Sequence, residues 1–129
     1  MQLRPFVLAF AAVLLAVQGC ATTTNRHADM DAVEAAPTQF TILLENEHVR
    51  VIEYVIAPGQ RDPWHTHPPK VSYVVSGGQL RIHLENGETF DVNEETGTAH
   101  WADHLPVHSA ENVGETPIRI LLIEVRGAA

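Results

Sequence analysis

His65 and His67 stand two residues apart, with Trp64 before them and Pro68-Pro69 after. In an extended segment, side chains at i and i+2 point to the same side. Two imidazoles so placed can face one point inside a barrel, which is how a strand presents metal ligands. His108 lies about forty residues further on, at the head of another predicted strand. Three converging imidazoles with further coordination positions left open form a catalytic-type metal site, because closed structural sites use four protein ligands. Such a donor set suits several first-row divalent ions, so Fe(II), Mn, Ni and Zn all remain open from the residues alone.

The other five histidines have plainer readings. His27 falls in a polar N-terminal stretch and His48 sits just before a strand, both at the surface. His83 alternates with Arg81 on one strand face, which is either solvent-facing or a pocket wall. His100 and His104 fall near His108 in the chain, and hydrogen-bonded histidines are the commoner case. His104, four residues before His108 in a loop that could approach the metal, is the better candidate for an additional metal ligand, pocket residue or proton-transfer group, with His100 behind it. Trp64, Tyr73 and Trp101 are candidates to line the cavity mouth, although aromatic residues in a barrel serve packing as often.

The elements that must carry these residues read as strand after strand. Apolar or alternating runs occupy 40–44, 49–56, 71–75, 80–84, 89–92, 98–102, 107–110 and 117–125. Turn-forming clusters separate them, including Ala57-Pro58-Gly59, Ser76-Gly77-Gly78 and Asn86-Gly87. Leu80, Ile82 and Leu84 share one face, and Arg81 and His83 the other. A short helical turn near Asp31 to Ala36, ended by Pro37, is the one helical signal after the N-terminal segment. The pattern predicts an all-β, single-domain sandwich or barrel, with a jelly roll the natural solution for about eight strands.

Length and composition agree with one domain. The chain has 129 residues, 45% of them hydrophobic and 19% charged, which describes a globular protein. The net charge is −8 with no basic cluster, which argues against nucleic acid as a partner. A single cysteine, Cys20, excludes an intramolecular disulfide and a zinc finger.

Cys20 closes the most hydrophobic stretch of the chain. Phe6 to Val17 contain no polar residue, a length too short to span a bilayer but suited to a secretory signal. Val17-Gln18-Gly19-Cys20 resembles the lipobox of bacterial lipoproteins, in which the cysteine is acylated. The resemblance implies a signal peptide at 1–19, a lipid-anchored tether at 20–39 and a folded domain at 40–129. It also implies export, a periplasm-facing position and attachment to a membrane. Ala21, lacking the acid linked to inner-membrane retention, points to the outer membrane.

The folded part resembles the cupin family. Gly59, five residues, His65-Thr66-His67 and then Gly77 after a strand match the first cupin motif. Gly97, His108 and Asn112 fall at the intervals of the second, with Asp103 and Leu105 where Pro and Gly are usual. The resemblance covers 40–125 and runs closest to small single-domain cupins associated with β-alanine degradation, a pathway label that names no reaction. It implies a jelly-roll β-barrel, a divalent metal held by His65, His67 and His108, a small-molecule ligand and pairing of two copies through their sheets. One position departs from the family: the usual glutamate of the first motif falls on Lys70 or Val71. Neither side chain can ligate a cation. The resemblance then points to three-histidine cupins, which include dioxygenases using Fe(II). A cupin that binds or senses a small molecule without turnover is the alternative.

Overall fold

The structure is a computed structural model that describes residues 30–127. The expected signal peptide, Cys20, His27 and the first part of the expected tether lie outside the described residues. Among the described residues are one short helix, α1 (Ala32–Ala35), and nine strands. The strands are β1 (Phe40–Glu45), β2 (Val49–Ile56), β3 (His65–His67), β4 (Lys70–Ser76), β5 (Gly78–Leu84), β6 (Thr89–Glu94), β7 (Ala99–Ala102), β8 (Leu105–Asn112) and β9 (Ile118–Val125). The expectation of an all-β jelly roll is met, with one strand more than the eight expected. The extra strand is β3, whose three residues are His65, Thr66 and His67.

The strands form two antiparallel sheets in the orders β1-β2-β9-β4-β7 and β3-β8-β5-β6. Alternation decides what each sheet puts inside. In β2, Ile52, Tyr54 and Ile56 are buried, and in β9 so are Ile118, Ile120 and Leu122. Val74 of β4, Leu80 of β5 and Ala110 of β8 meet them from the other strands. Each large aliphatic side chain so buried contributes roughly 1.5–3 kcal/mol of transfer free energy. Leu80 and Ile82 face inward as their alternation predicts. Arg81 and His83 face out, where they pair with Asp91 and Glu111.

The outer face of the larger sheet is also apolar. Leu44, Val51, Ile123, Val71 and Trp101 stand side by side in register across β1, β2, β9, β4 and β7. Where β4 crosses to β5, Gly77 is required by space: a Cβ there would lie 2.0 Å from the Glu94 carbonyl oxygen. No side chain fits that approach.

The N-terminal boundary differs from the expectation. Residues 30–39, read from composition as tether, are packed against the barrel. Asp31 caps α1 by accepting from the N–H of Val33 at 3.0 Å and of Glu34 at 3.3 Å. Ala32 and Ala36 are buried in the core. The Thr66 N–H donates to the Met30 carbonyl at 2.8 Å, which ties this segment to β3. The helical turn expected near Asp31 to Ala36 is there as α1, but its packing escapes detection because the anchoring comes from two small apolar residues and one carboxylate, which leave no periodic signature.

Candidate metal centre

His65 and His108 face each other as register partners on β3 and β8. A register shift between His65 and His67 then sets His67 against Leu105. The three imidazoles are buried, and their candidate ligand atoms all lie within 4.8 Å of one another. Ring centroids are 4.5 Å apart for His65 and His108, 4.8 Å for His65 and His67, and 5.5 Å for His67 and His108. The expected ligand set is thus brought together. Phe40 walls it on one side, edge-on to His65 at 5.0 Å and to His67 at 5.5 Å.

The hydrogen bonds of the rings settle which nitrogen is free. Nδ1 of His65 lies 2.7 Å from the Pro63 carbonyl oxygen, and Nδ1 of His108 lies 2.8 Å from that of Pro106. A carbonyl only accepts, so both Nδ1 atoms carry the proton and donate it. Nδ1 of His67 lies 3.2 Å from Glu124 Oε1 and likewise donates. Each neutral ring then keeps its lone pair on Nε2. Carboxylate or carbonyl partners behind ligating imidazoles are the usual way metal sites fix tautomer and ring orientation. Burial favours the same neutral form. It lowers the pKa of His65 and lowers that of His67 well below the ordinary value, with the charges of neighbouring rings and Lys70 adding to the effect on His67. His108 is lowered to about 4, chiefly by burial and then by His65. Three buried neutral imidazoles with Nε2 free are the donor set a first-row divalent ion requires.

Behind the ligands runs a buried web of charge. Arg50 and Glu124 are register partners on β2 and β9, both turned inward beyond the aliphatic rows. Arg50 Nε donates to Glu124 Oε2 at 2.7 Å, and its Nη2 reaches both Glu124 and Asp31. Glu124 therefore links Arg50 to His67. Burial pushes the Glu124 pKa up, against the lowering influence of Arg50. Removing one partner of a buried pair costs about 3–5 kcal/mol, because the other charge is left uncompensated. On the opposite side Asp62 accepts from the Tyr54 hydroxyl at 2.7 Å and from the Ala110 N–H at 2.7 Å. Asp62 Oδ1 is 3.7 Å from His65 Nδ1.

A cavity of about 200 Å³ opens beside the histidines, and Tyr54, Asp62, Lys70, Ser72, Leu80 and Glu94 are among its lining residues. The aromatic residues expected at its mouth do not line it. Trp64 is half-buried with the Arg61 guanidinium 5.2 Å from its ring centroid. Tyr73 and Trp101 are exposed on the outer face of the larger sheet, because odd-numbered positions of β4 and β7 point away from the barrel. Trp101 Nε1 donates to Asp103 at 3.0 Å. His104 is exposed in the link between β7 and β8 and outside the histidine cluster, so no ligand, pocket or proton-transfer role falls to it. His100 contacts Thr98 Oγ1 at 3.1 Å near the cavity's outer edge, and His48 is at the surface beside Glu47. Glu124 and Asp62 go unnoticed in the motif reading, and Lys70 enters it only as a residue at the usual glutamate position. The signal for Glu124 and Lys70 is alternation carried to the strand ends: Glu124 continues the inward series of Ile118, Ile120 and Leu122, and Lys70 that of Ser72 and Val74.

No family model matches the sequence, and no curated protein matches it. Solved structures do. The chain is similar to a cupin domain from Bordetella pertussis, with 24% identity, a TM-score of 0.63, and 68% of this chain and 92% of that one covered. It is similar to an uncharacterized conserved protein with a double-stranded β-helix domain from Klebsiella pneumoniae, with 27% identity, a TM-score of 0.55, and 70% and 77% covered. A cupin family protein from Methanocaldococcus jannaschii gives 17% identity, a TM-score of 0.55, and 67% and 78% covered. Identities this low speak to architecture alone, and on that ground the chain has the cupin fold, a double-stranded β-helix; in this chain three histidines are gathered inside it.

Proposed function

We propose that the protein is a metal-dependent cupin acting on a small molecule, with its ion held by Nε2 of His65, His67 and His108. The observation that carries this reading is the commitment of all three Nδ1 protons to fixed acceptors, which leaves three Nε2 lone pairs for one ion. Iron(II) is the favoured ion, with manganese, nickel and zinc as the others the donor set accepts. When bound, iron(II) would supply dioxygen and Lewis-acid chemistry, and dioxygenase-type turnover is the leading reaction class. The chain's own residues have separate tasks. Glu124 holds His67 in its tautomer and Pro63 and Pro106 do so for the other two rings. Phe40, Leu80, Ile120 and Leu122 keep the surroundings dry, which strengthens every electrostatic contact inside.

The second reading is a cupin that binds or senses its ligand without turnover. It is favoured by the engagement of the two carboxylates nearest the rings, since Asp62 and Glu124 are both tied to donors and so are poorly placed as general bases. The proposal extends to location: acylation of Cys20 would hold the domain on the periplasmic side of a membrane, the outer one by the character of Ala21.

The purified protein, supplied in turn with iron, manganese, nickel and zinc, is to be assayed for bound metal by mass spectrometry. One ion per chain that is lost in His108→Ala is expected. No bound ion under any supplement refutes the metal reading. Oxygen consumption against a metabolite panel then divides enzyme from binder.

A further inference from the structure

The charged groups that reach the barrel interior are nearly all neutralised by contact. Arg50 meets two carboxylates, Glu124 meets Arg50 and His67, and Asp62 accepts from two donors. Among the cations Lys70 is the exception, and Glu94, the remaining carboxylate of the cavity, meets only the exposed His100 at 3.7 Å. Lys70 has no carboxylate in contact. It begins β4 facing inward and is buried, at 6% exposure. Its Nζ donates to Ser72 Oγ at 3.1 Å. An ammonium has three N–H donors, so two are left for the cavity that Lys70 and Ser72 line together. Glu124 and Glu94 act on Lys70 only through their fields. Lys70 lines the same cavity as His65, His67 and His108, and its charge acts on all three rings.

A buried ammonium without an anion in contact bears a desolvation penalty that no partner offsets. Burial accordingly lowers the Lys70 pKa. A ligand that brings a negative charge offsets that penalty, whereas a neutral ligand adds to it by displacing water.

We propose that Lys70, with Ser72, is the anion-binding element of the cavity, and that the ligand is a small monocarboxylate whose charged end pairs with Lys70 Nζ while its other end lies toward the three histidines. The proposal rests on the metal reading for where the reacting end goes, but the carboxylate contact is independent of it. One carboxylate is favoured over two because Glu94 lines the same cavity and would repel a second. The space between Lys70 and the rings is small, about 200 Å³ against the roughly 300–1,000 Å³ of pockets for drug-sized ligands, and Lys70 and Ser72 also line an adjoining space of about 260 Å³ on their other side. The lysine that stands where a metal-binding glutamate is usual thereby exchanges one role for another. It gives up ligation and recognises substrate.

The test uses propionate and lactate as probes, with propionamide and lactamide as uncharged counterparts. Binding is measured by calorimetry to metal-loaded wild type and to Lys70→Met, with metal content and thermal unfolding followed alongside. At least one acid is expected to bind wild type, to bind Lys70→Met about tenfold more weakly or worse, and to bind wild type more tightly than its amide. Metal content is expected to be unchanged in the variant. Equal affinity of both proteins for the acids, amides that bind as tightly as acids, or no binding of either acid by wild type would each overturn the proposal. Should Lys70→Met fail to fold, Lys70→Gln removes the same charge while keeping a polar end. Acid binding that depends on Lys70 in a protein holding no metal would leave the anion site standing and refute the metal reading alone.

Discussion

Acidifying the metal-free protein puts protons on three imidazoles that the fold holds neutral, and the size of the effect follows from His108. Its pKa falls from 6.5 to about 4 on folding, a gap of about 2.5 pH units. At about 1.36 kcal/mol per unit that is about 3 kcal/mol of stability. The folded pKa lies below the unfolded one, so the unfolded chain takes up the proton first as the pH drops through 6.5. Stability is therefore full above that pH, declines through the window, and the loss is complete near pH 4. His65 and His67 are lowered as well and act in the same direction. Asp62 and Glu124 act in the opposite direction. Burial raises both, so their folded forms bind protons more readily than the unfolded chain and soften the decline. Comparison with His108→Gln isolates the imidazole, since the carboxylates are common to both proteins. Urea unfolding of the two metal-free proteins between about pH 7 and pH 4 measures the difference. Wild type is expected to lose about 3 kcal/mol more than His108→Gln over that range. Curves that stay parallel to within about 0.5 kcal/mol would show that His108 is not held neutral by the fold and would refute the argument.

Glu124→Gln replaces the acceptor behind His67 with a weaker one, and metal affinity measured by chelator competition is expected to fall by about 10–100-fold. Unchanged affinity would show that the His67–Glu124 contact does not tune the ligand. Cys20→Ser is expected to abolish incorporation of labelled palmitate and to move the protein from the membrane to the soluble fraction. Label that persists in the variant would end the lipid-anchor proposal.

The three histidines were legible because i, i+2 spacing on an extended segment is a geometric constraint, and His108 needed only a second strand to meet them. Their extended form was expected, but β3 was not among the runs that propensity marks as strands. β3 has three residues and is followed by Pro68-Pro69, so its extended form comes from pairing with β8 rather than from local propensity. The aromatic residues misled for a related reason. Residue type suggested a pocket, while the parity of the strand decides the side. Tyr73 shares parity with Val71 and faces out, and Lys70 and Ser72 have the opposite parity and face in. Parity was readable throughout β4 and β9, and carrying it past the aliphatic rows would have placed Lys70 and Glu124 inside the barrel.

Composition, by contrast, assigns residues 30–39 to the wrong task for a reason that bears on the site. Nothing in Ala-rich, aperiodic chain signals that Asp31 will meet Arg50, because the partner lies on β2 and the contact is created by the fold. Yet that contact begins an unbroken series: Asp31 to Arg50, Arg50 to Glu124, Glu124 to His67. The same segment bonds the backbone of Thr66, between the two histidines of β3. A domain cut at Phe40 would lose Asp31, leave Arg50 one carboxylate short in a buried setting, and free one edge of the strand that carries two of the three ligands. The stretch that leads toward Cys20 is therefore part of what holds His65 and His67 in position.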